Sequence, residues 1–407
     1  MMEQFARRKY SILEKVLAMN ENASWTASWM EEEHVLLQQS VRKFFAEELV
    51  PNLDRWRNAG IVDREMWLKA GNAGFLGASV PVEYGGSGGT AAFDVVIAYE
   101  QARAGDSGWA WGVHNICTHY ILGYGTEEQK TRWLPGLASG EIVPAIAMTE
   151  PGTGSDLQAV KTYAEKSGDD YVINGSKTFI SNGQAADIVI VVAKTDKAAR
   201  AKGISLVVVE TENCKGFMRG RNLEKIGMKG QDTSELSFDD VRVPSSNLLG
   251  GKEGQGFIQL MSQLPWERLQ IGVGALGASE MMVDETLSYV KERKAFGQRL
   301  MDMQNTRFKL AEAKTKLEVT RAFIDQCVEK LVRGDLDAAT GSMAKWWGSQ
   351  IQCEIADECL QLHGGYGYMM EYPIARAYAD ARVQKIYGGA NEIQKELIAR
   401  SMDAEAK

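Results

Sequence analysis

The C-terminal part of the sequence carries three long amphipathic runs, near residues 257–292, 303–332 and 337–362, with few breakers inside them. Each is about 25–35 residues long, so at 1.5 Å per residue each helix spans roughly 40–50 Å. Helices of that length joined by short loops bury their apolar stripes against one another, which predicts an antiparallel bundle over residues 256–407. The N-terminal part, residues 1–145, also reads as helical. In VLLQQSVRKFFAEELVPNL the residues Leu36, Leu37, Val41, Phe44, Phe45 and Leu49 follow a helical period that Pro51 ends. FDVVIAYEQARAG and SGWAWGVHNICTHYILGYG follow as a buried helix pair.

Residues 146–255 differ in character. YVINGSKTFISNG, DIVIVVAKT, ISLVVVE and SELSFDDVRVP are short, β-branched and bounded by Gly, Asn and Asp, which is strand chemistry with turn punctuation. They predict a compact β-barrel or sandwich. The fold class is therefore α+β: an N-terminal helical domain, a central β domain and a C-terminal four-helix bundle.

Charge narrows the function. With 46 basic and 54 acidic residues the net charge is −8, which argues against a general nucleic-acid binder and a polybasic membrane surface. The five cysteines form no CxxC pair, as expected of free thiols in a reduced compartment. The four histidines show no metal-ligand spacing, so no metal is expected. The first residues, MMEQFARRKYSILEKVLAMNENASW, have no long apolar core, and Glu3 and Glu14 argue against a mitochondrial leader. No run of about 18 apolar residues offers a membrane span. A cytoplasmic location is expected.

Five stretches invite chemistry, each beside a plainer reading. AMTEPGTGSD (Ala147–Asp156) is a glycine-rich loop where helix gives way to strand. It is either an ordinary turn or a place where backbone N–H groups approach a phosphate or a ring, with Thr149 and Ser155 adding hydroxyls. It lacks the GxGxxG and GxxxxGK[ST] patterns. KTFISNG sets Phe179 and Ser181 on one side of a strand, as alternation alone would do, or as a stacking surface. ERKAFGQRL ends a long helix with Lys and Arg, which complement its dipole or reach a pyrophosphate. QLHGGYGYMMEYP closes another with Gly-Gly, a C-cap or a flat surface for a ring system. QKIYGGANEIQ is a turn between helices or the wall of a site.

In order and spacing, AMTEPGTGSD, KTFISNG, GMKGQDTSELSFDDVRVP, ERKAFG, QLHGGYGY and IYGGANEIQKELIAR resemble the acyl-CoA dehydrogenase family, from about residue 35 to 401. The segment from LSYVKERKAFGQ to the closing IAR looks most like its long-chain branch. The resemblance implies FAD between the β domain and the bundle, and removal of an α proton and a β hydride from an acyl-CoA thioester to give the trans-2-enoyl-CoA. Flavin N5 would take the hydride, and an electron-transfer flavoprotein the electrons. Met148, Thr149, Gly154 and Ser155 would line the flavin, with Phe179, Ile180 and Ser181 against its ring. Arg293, Phe296, Gln304, Gln361, Gly364 and Gly365 would hold the adenine-side half, partly across a subunit interface. Asn391 and Glu392 would face the cofactor from a helix start. Ser155, Pro265, Arg268, Gly388 and Gly389 would contact substrate. A homotetramer, built as a dimer of dimers, is implied.

One position departs from the pattern. Much of the family has a base glutamate where this chain has Gly388, followed by Gly389 and Ala390. A thioester α-carbon is a weak acid, so the base must be a carboxylate in a dry pocket. LPWERLQIG supplies Glu267 beside Arg268 within an apolar run. Glu267 could form an ion pair on a solvated helix face. The long-chain and isovaleryl branches are similar here and place their catalytic glutamate at this position, so the resemblance implies Glu267 as base. The N–H of residue 388, which needs no side chain, would serve the thioester oxygen. A medium or long acyl chain, straight or branched, is expected, with the helix of Trp109, Trp111 and His114 lining its far end, or with Trp109 and Trp111 packing as core. The alternatives are an acyl-CoA oxidase using O2, and a non-catalytic homologue acting as a binding or assembly subunit.

Overall fold

The computed structural model describes residues 25–106 and 108–405. The reading of the chain's start as free of a leader falls, apart from Trp25, outside the described residues. Among the described residues six helices come first: α1 (Glu32–Phe44), α2 (Leu53–Ala59), α3 (Arg64–Asn72), α4 (Ala91–Arg103), α5 (Trp111–Tyr124) and α6 (Glu127–Ser139). The helix that Pro51 was expected to end loosens before it, through a π turn at Phe45–Leu49, because a proline has no N–H to continue the ladder. α6 starts at a capping box: the Thr126 hydroxyl accepts from the Gln129 N–H, and the Gln129 side chain accepts from the Thr126 N–H.

Trp109, Trp111 and His114 are core residues. They are 2%, 1% and 0% exposed, the Trp111 indole donates to the Phe75 carbonyl, and His114 stacks on Trp67. Of the two expectations for them, the structure places them in packing.

Seven strands follow: β1 (Pro144–Ala147), β2 (Tyr163–Ser167), β3 (Asp170–Ser181), β4 (Ile188–Lys194), β5 (Ile204–Glu210), β6 (Phe217–Asn222) and β7 (Thr233–Pro244). They form one curled sheet in the order β1-β4-β2-β3-β7-β6, with β5 also on β4. β4 shows why its residues are apolar on both faces. Val189, Val191 and Ala193 enter the core inside the curl, whereas Ile188, Ile190 and Val192 pack outward against α5 and α6.

The bundle consists of α7 (Gly256–Glu292), α8 (Gln304–Arg333), α9 (Ala338–His363), α10 (Pro373–Ala381) and α11 (Asn391–Glu405), with a small hairpin, β8 (Lys294–Ala295) and β9 (Gln298–Arg299), between the first two. The three long helices match the runs expected from periodicity. α7 and α9 approach closely because Gly272 and Gly348 face each other: a Cβ on Gly348 would lie 3.0 Å from the Gly272 Cα. That contact fixes which residues of α9 look onto the face of α7 described below. Trp25, in a segment with no role assigned from sequence, is fully buried against the bundle. Its indole and that of Trp29 both donate to Asp325 on α8.

Candidate active site

α7 is apolar around most of its girth between Leu264 and Leu276, since it crosses the middle of the molecule. Glu267 sits in this stretch and is 6% exposed. The partner of its carboxylate is the Tyr120 hydroxyl on α5, which donates to Oε1 at 2.8 Å. Arg268 turns the other way and donates to the Ser342 hydroxyl on α9 at 3.2 Å. The ion pair on a solvated face is therefore not what forms. Burial pushes the Glu267 carboxyl up to about 7, against the opposing pull of Tyr120 and of the Arg268 charge. A carboxyl so placed loses and regains a proton near neutrality, as a general base must. Tyr120 is buried and raised well above its ordinary range, so it remains a donor.

The turn at Gly388–Gly389 meets the same face of α7. Both residues have left-handed backbones, with φ of 63° and 90°. A Cβ built on Gly388 would lie 2.4 Å from Cδ1 of Ile271, one helical turn from Glu267. A side chain at 388 would thus run into the space beside Glu267. Pro265 and Arg268 are buried on the same helix, on either side of Glu267. Asn391, expected to face a cofactor, is buried, and its side chain bonds Lys345 and Ser349. Glu392 beside it is exposed.

The loop Ala147–Asp156 and the end of β3 come together. The Thr178 N–H donates to the Thr149 carbonyl, and the fully buried Lys177 ammonium donates to the Met148 carbonyl and the Glu150 carboxylate. Phe179 does not follow strand alternation. The pairing of β3 with β7 shifts register between Lys177 and Ile180, and Phe179 in the bulge has φ 61° and is 67% exposed. An aromatic held out by a strained backbone is a ready stacking surface. Ile180 is buried beneath it, Ser181 is half-buried, and Gly154 and Ser155 are exposed across the loop. Met148 packs into the same apolar cluster as Tyr120, so this wall shares a core with the donor to Glu267.

A surface cavity of about 570 Å³ opens at the far end of the bundle. Arg293, Gln361, Gly364 and Gly365, which the resemblance groups together, line it with Tyr289 and His363, which it did not name. The Arg293 guanidinium lies over the Tyr366 ring at 5.5 Å. His363 stacks on Tyr289, and its Nε2 is buried without a partner among the described residues. Gln304 is exposed near the start of α8, and Phe296 is 95% exposed on the hairpin; neither lines the cavity.

Three family models cover the chain in sequence: the N-terminal, middle and C-terminal domains of acyl-CoA dehydrogenases, over residues 31–141, 145–241 and 254–402. The chain belongs to the acyl-CoA dehydrogenase family. It is an oxidoreductase of that class, and the curled sheet between two helical regions is the fold of this family. The long-chain specific acyl-CoA dehydrogenase, mitochondrial, of Sus scrofa is 52% identical over 373 residues, covering 91% of this chain and 86% of that protein. The crystal structure of an acyl-CoA dehydrogenase from Geobacillus kaustophilus superposes with a TM-score of 0.91 at 47% identity, covering 93% of this chain and all of the other. A glutaryl-CoA dehydrogenase from Mycobacterium smegmatis, solved in complex with FADH2, superposes at 0.86 with 30% identity, covering 93% and 96%.

Sequence reasoning missed the parts that Tyr120, Ile271 and Lys345 play around Glu267 and the turn. Tyr120 lies in a run of buried aromatics, and nothing local marks it. Lys345 carried a weak signal: a lone lysine between Ala344 and Trp346 in an apolar run has to find acceptors inside.

Proposed function

We propose that this acyl-CoA dehydrogenase takes a medium- or long-chain acyl-CoA to the trans-2-enoyl-CoA, with Glu267 as base. The observation that carries the reading is the buried Glu267 carboxyl, held by Tyr120 beside the side-chain-free turn at Gly388. FAD fits the residues present: the bulged, exposed Phe179 offers a face for a ring, and the cavity at Arg293 offers a cation and the unpartnered His363 nitrogen for an adenosine-phosphate end. When bound, FAD supplies the hydride acceptor. Phe179, Met148, Thr149, Gly154, Ser155, Ile180 and Ser181 would hold its ring half. Arg293, Gln361, Gly364 and Gly365 would hold its other half, with Phe296 and Gln304 reaching it across a subunit contact in a homotetramer.

The protein's own part follows from the geometry. Bound substrate would keep water away from the buried Glu267 carboxyl. Ionised Glu267 takes the α proton, and the electron pair of that C–H bond forms the new α,β double bond; the bound flavin, held by the residues named above, would supply the acceptor for the β hydride. Negative charge that grows on the thioester oxygen meets backbone N–H groups of the Gly388–Gly389 turn. Gly389, Ser155, Pro265 and Arg268 would complete the substrate's surroundings. Electrons would pass to an electron-transfer flavoprotein. Among the described residues no helix is long and apolar enough to cross a membrane. A reduced compartment suits the free cysteines, three of which are buried.

The test is a panel of acyl-CoA thioesters of different length and branching, mixed anaerobically with the FAD-loaded protein. Flavin bleaching by long chains in the wild type and its loss in Glu267→Gln is the expected result. Wild-type bleaching by the variant would remove Glu267 as base. Turnover with O2 as fast as with electron-transfer flavoprotein would make the protein an oxidase.

A further inference from the structure

The turn at Gly388–Gly389 has no side chain of its own to hold it, yet both of its carbonyls are pinned. Gln394 Nε2 donates to the Gly388 carbonyl at 3.2 Å and to the Gly389 carbonyl at 3.0 Å. The Lys345 ammonium donates to the Gly389 carbonyl at 2.8 Å and to the Asn391 side chain at 2.8 Å. Lys345 and Gln394 are both 0% exposed. Asn391 is itself fixed by Ser349, so the ammonium is tied to α9 and α11 together.

The geometry of the peptide bond turns this into a statement about donors. All peptides of the described residues are trans, so each N–H points away from the preceding C=O. With the carbonyls of Gly388 and Gly389 drawn into the bundle, the N–H groups of Gly389 and Ala390 face the opposite side. Among the described residues, the N–H groups of Gly388, Gly389 and Ala390 meet no acceptor. Gly388 itself abuts Ile271, one turn from Glu267. Three successive free donors next to a buried base are a site for an oxygen that gains charge. A buried cation on the Gly389 carbonyl also polarises that peptide and strengthens its N–H as a donor.

We infer that Lys345 and Gln394 are positioning residues: they clamp the Gly388–Gly389 turn from behind and so present its N–H groups to the thioester oxygen of the substrate. The clamp takes over the work that chain connectivity alone cannot do at two consecutive glycines, which otherwise sample many backbone states. It explains why a lysine is retained in the dry interior of α9, where its burial is unfavourable unless its hydrogens are used. The inference rests on the reading of Glu267 as base and of this turn as the oxyanion donor.

The experiment uses the FAD-loaded proteins Lys345→Met, Gln394→Met and Glu267→Gln with a long-chain acyl-CoA. Three quantities are read: the anaerobic flavin-bleaching rate at saturating substrate, KM in steady state, and exchange of the α proton with solvent D2O by NMR. Lys345→Met and Gln394→Met are expected to slow bleaching and α-proton exchange together by at least about tenfold, with KM within about threefold, since only the charged transition state loses its donors. Unchanged exchange in Lys345→Met while Glu267→Gln is inactive would overturn the clamp and leave the base in place. Wild-type exchange in Glu267→Gln would overturn the reading beneath it. If Lys345→Met fails to fold, Gln394→Met decides alone: wild-type bleaching in it overturns the proposal.

Discussion

The Tyr120 hydroxyl lies 2.8 Å from Oε1 of Glu267, and the two side chains reach each other across α5 and α7 with neither exposed to water. A carboxyl in this position is pulled two ways. Burial favours its protonated form, and the tyrosine donor and the Arg268 charge favour the ionised one. Its chemistry and part of the protein's stability hang on that balance.

Glu267→Gln keeps the shape and an oxygen that can accept from Tyr120, but removes the base. Turnover is expected to fall by about 10²–10⁴-fold, as for loss of a general base. Stability should move the other way. The folded carboxyl titrates at about 7 and its ordinary value is 4.5, so the folded protein binds the proton more tightly. Wild-type stability therefore declines as pH rises from 4.5 through about 7. The variant escapes this decline and should gain up to about 3 kcal/mol at pH 8, and nothing below the unfolded value. Denaturant melts at several pH values check it.

Tyr120→Phe deletes the donor and leaves the burial. The Glu267 carboxyl is then expected to titrate higher than its present value of about 7. The acid limb of kcat/KM should shift upward in pH, so the loss is large near pH 6 and small near pH 9. An unshifted limb with uniformly lower activity would show that the bond does not tune the base.

Gly388→Ala must place a methyl on Ile271 Cδ1 and hold φ at 63°. A cost of about 1–3 kcal/mol in stability is expected for the strained backbone, with slower turnover. Ile271→Val removes the colliding carbon. In the double variant the steric part should vanish and the φ strain remain, giving a favourable coupling of about 1 kcal/mol in a double-mutant cycle.

Lys177→Met leaves the Glu150 carboxylate buried without its cation, since Lys177 is the ammonium at 2.9 Å from it. A loss of about 3–5 kcal/mol is expected, because breaking one half of a buried pair strands the other charge. The loop at Met148 should also loosen, seen as faster amide exchange at Thr149 and Thr178.

Arg293→Ala removes the cation that lines the bundle-end cavity. FAD affinity should fall about tenfold or more, for the loss of a charge-assisted contact. The turnover number at saturating FAD should stay within about twofold, since the cavity lies away from Glu267. Flavin titration into the apoprotein separates the two.

Much of this protein is determined by sequence alone. Apolar period sets the long bundle helices within a residue or two of where they lie, because a helix of that length can bury its stripe only one way. Alternating β-branched runs set the central sheet. The resemblance carried by ERKAFG and QLHGGYGY named Arg293, Gln361, Gly364 and Gly365, and the bundle gathers them around one cavity, since both motifs end helices that stop side by side. Tertiary structure decided the rest. That Glu267 meets Tyr120, that Ile271 occupies the space over Gly388, and that Lys345 reaches the Gly389 carbonyl are contacts between residues 147, 117 and 44 positions apart. Local pattern carries no record of such pairs. Whether a buried acid is a base, an ion pair or an orphan depends on which helix the fold sets beside it.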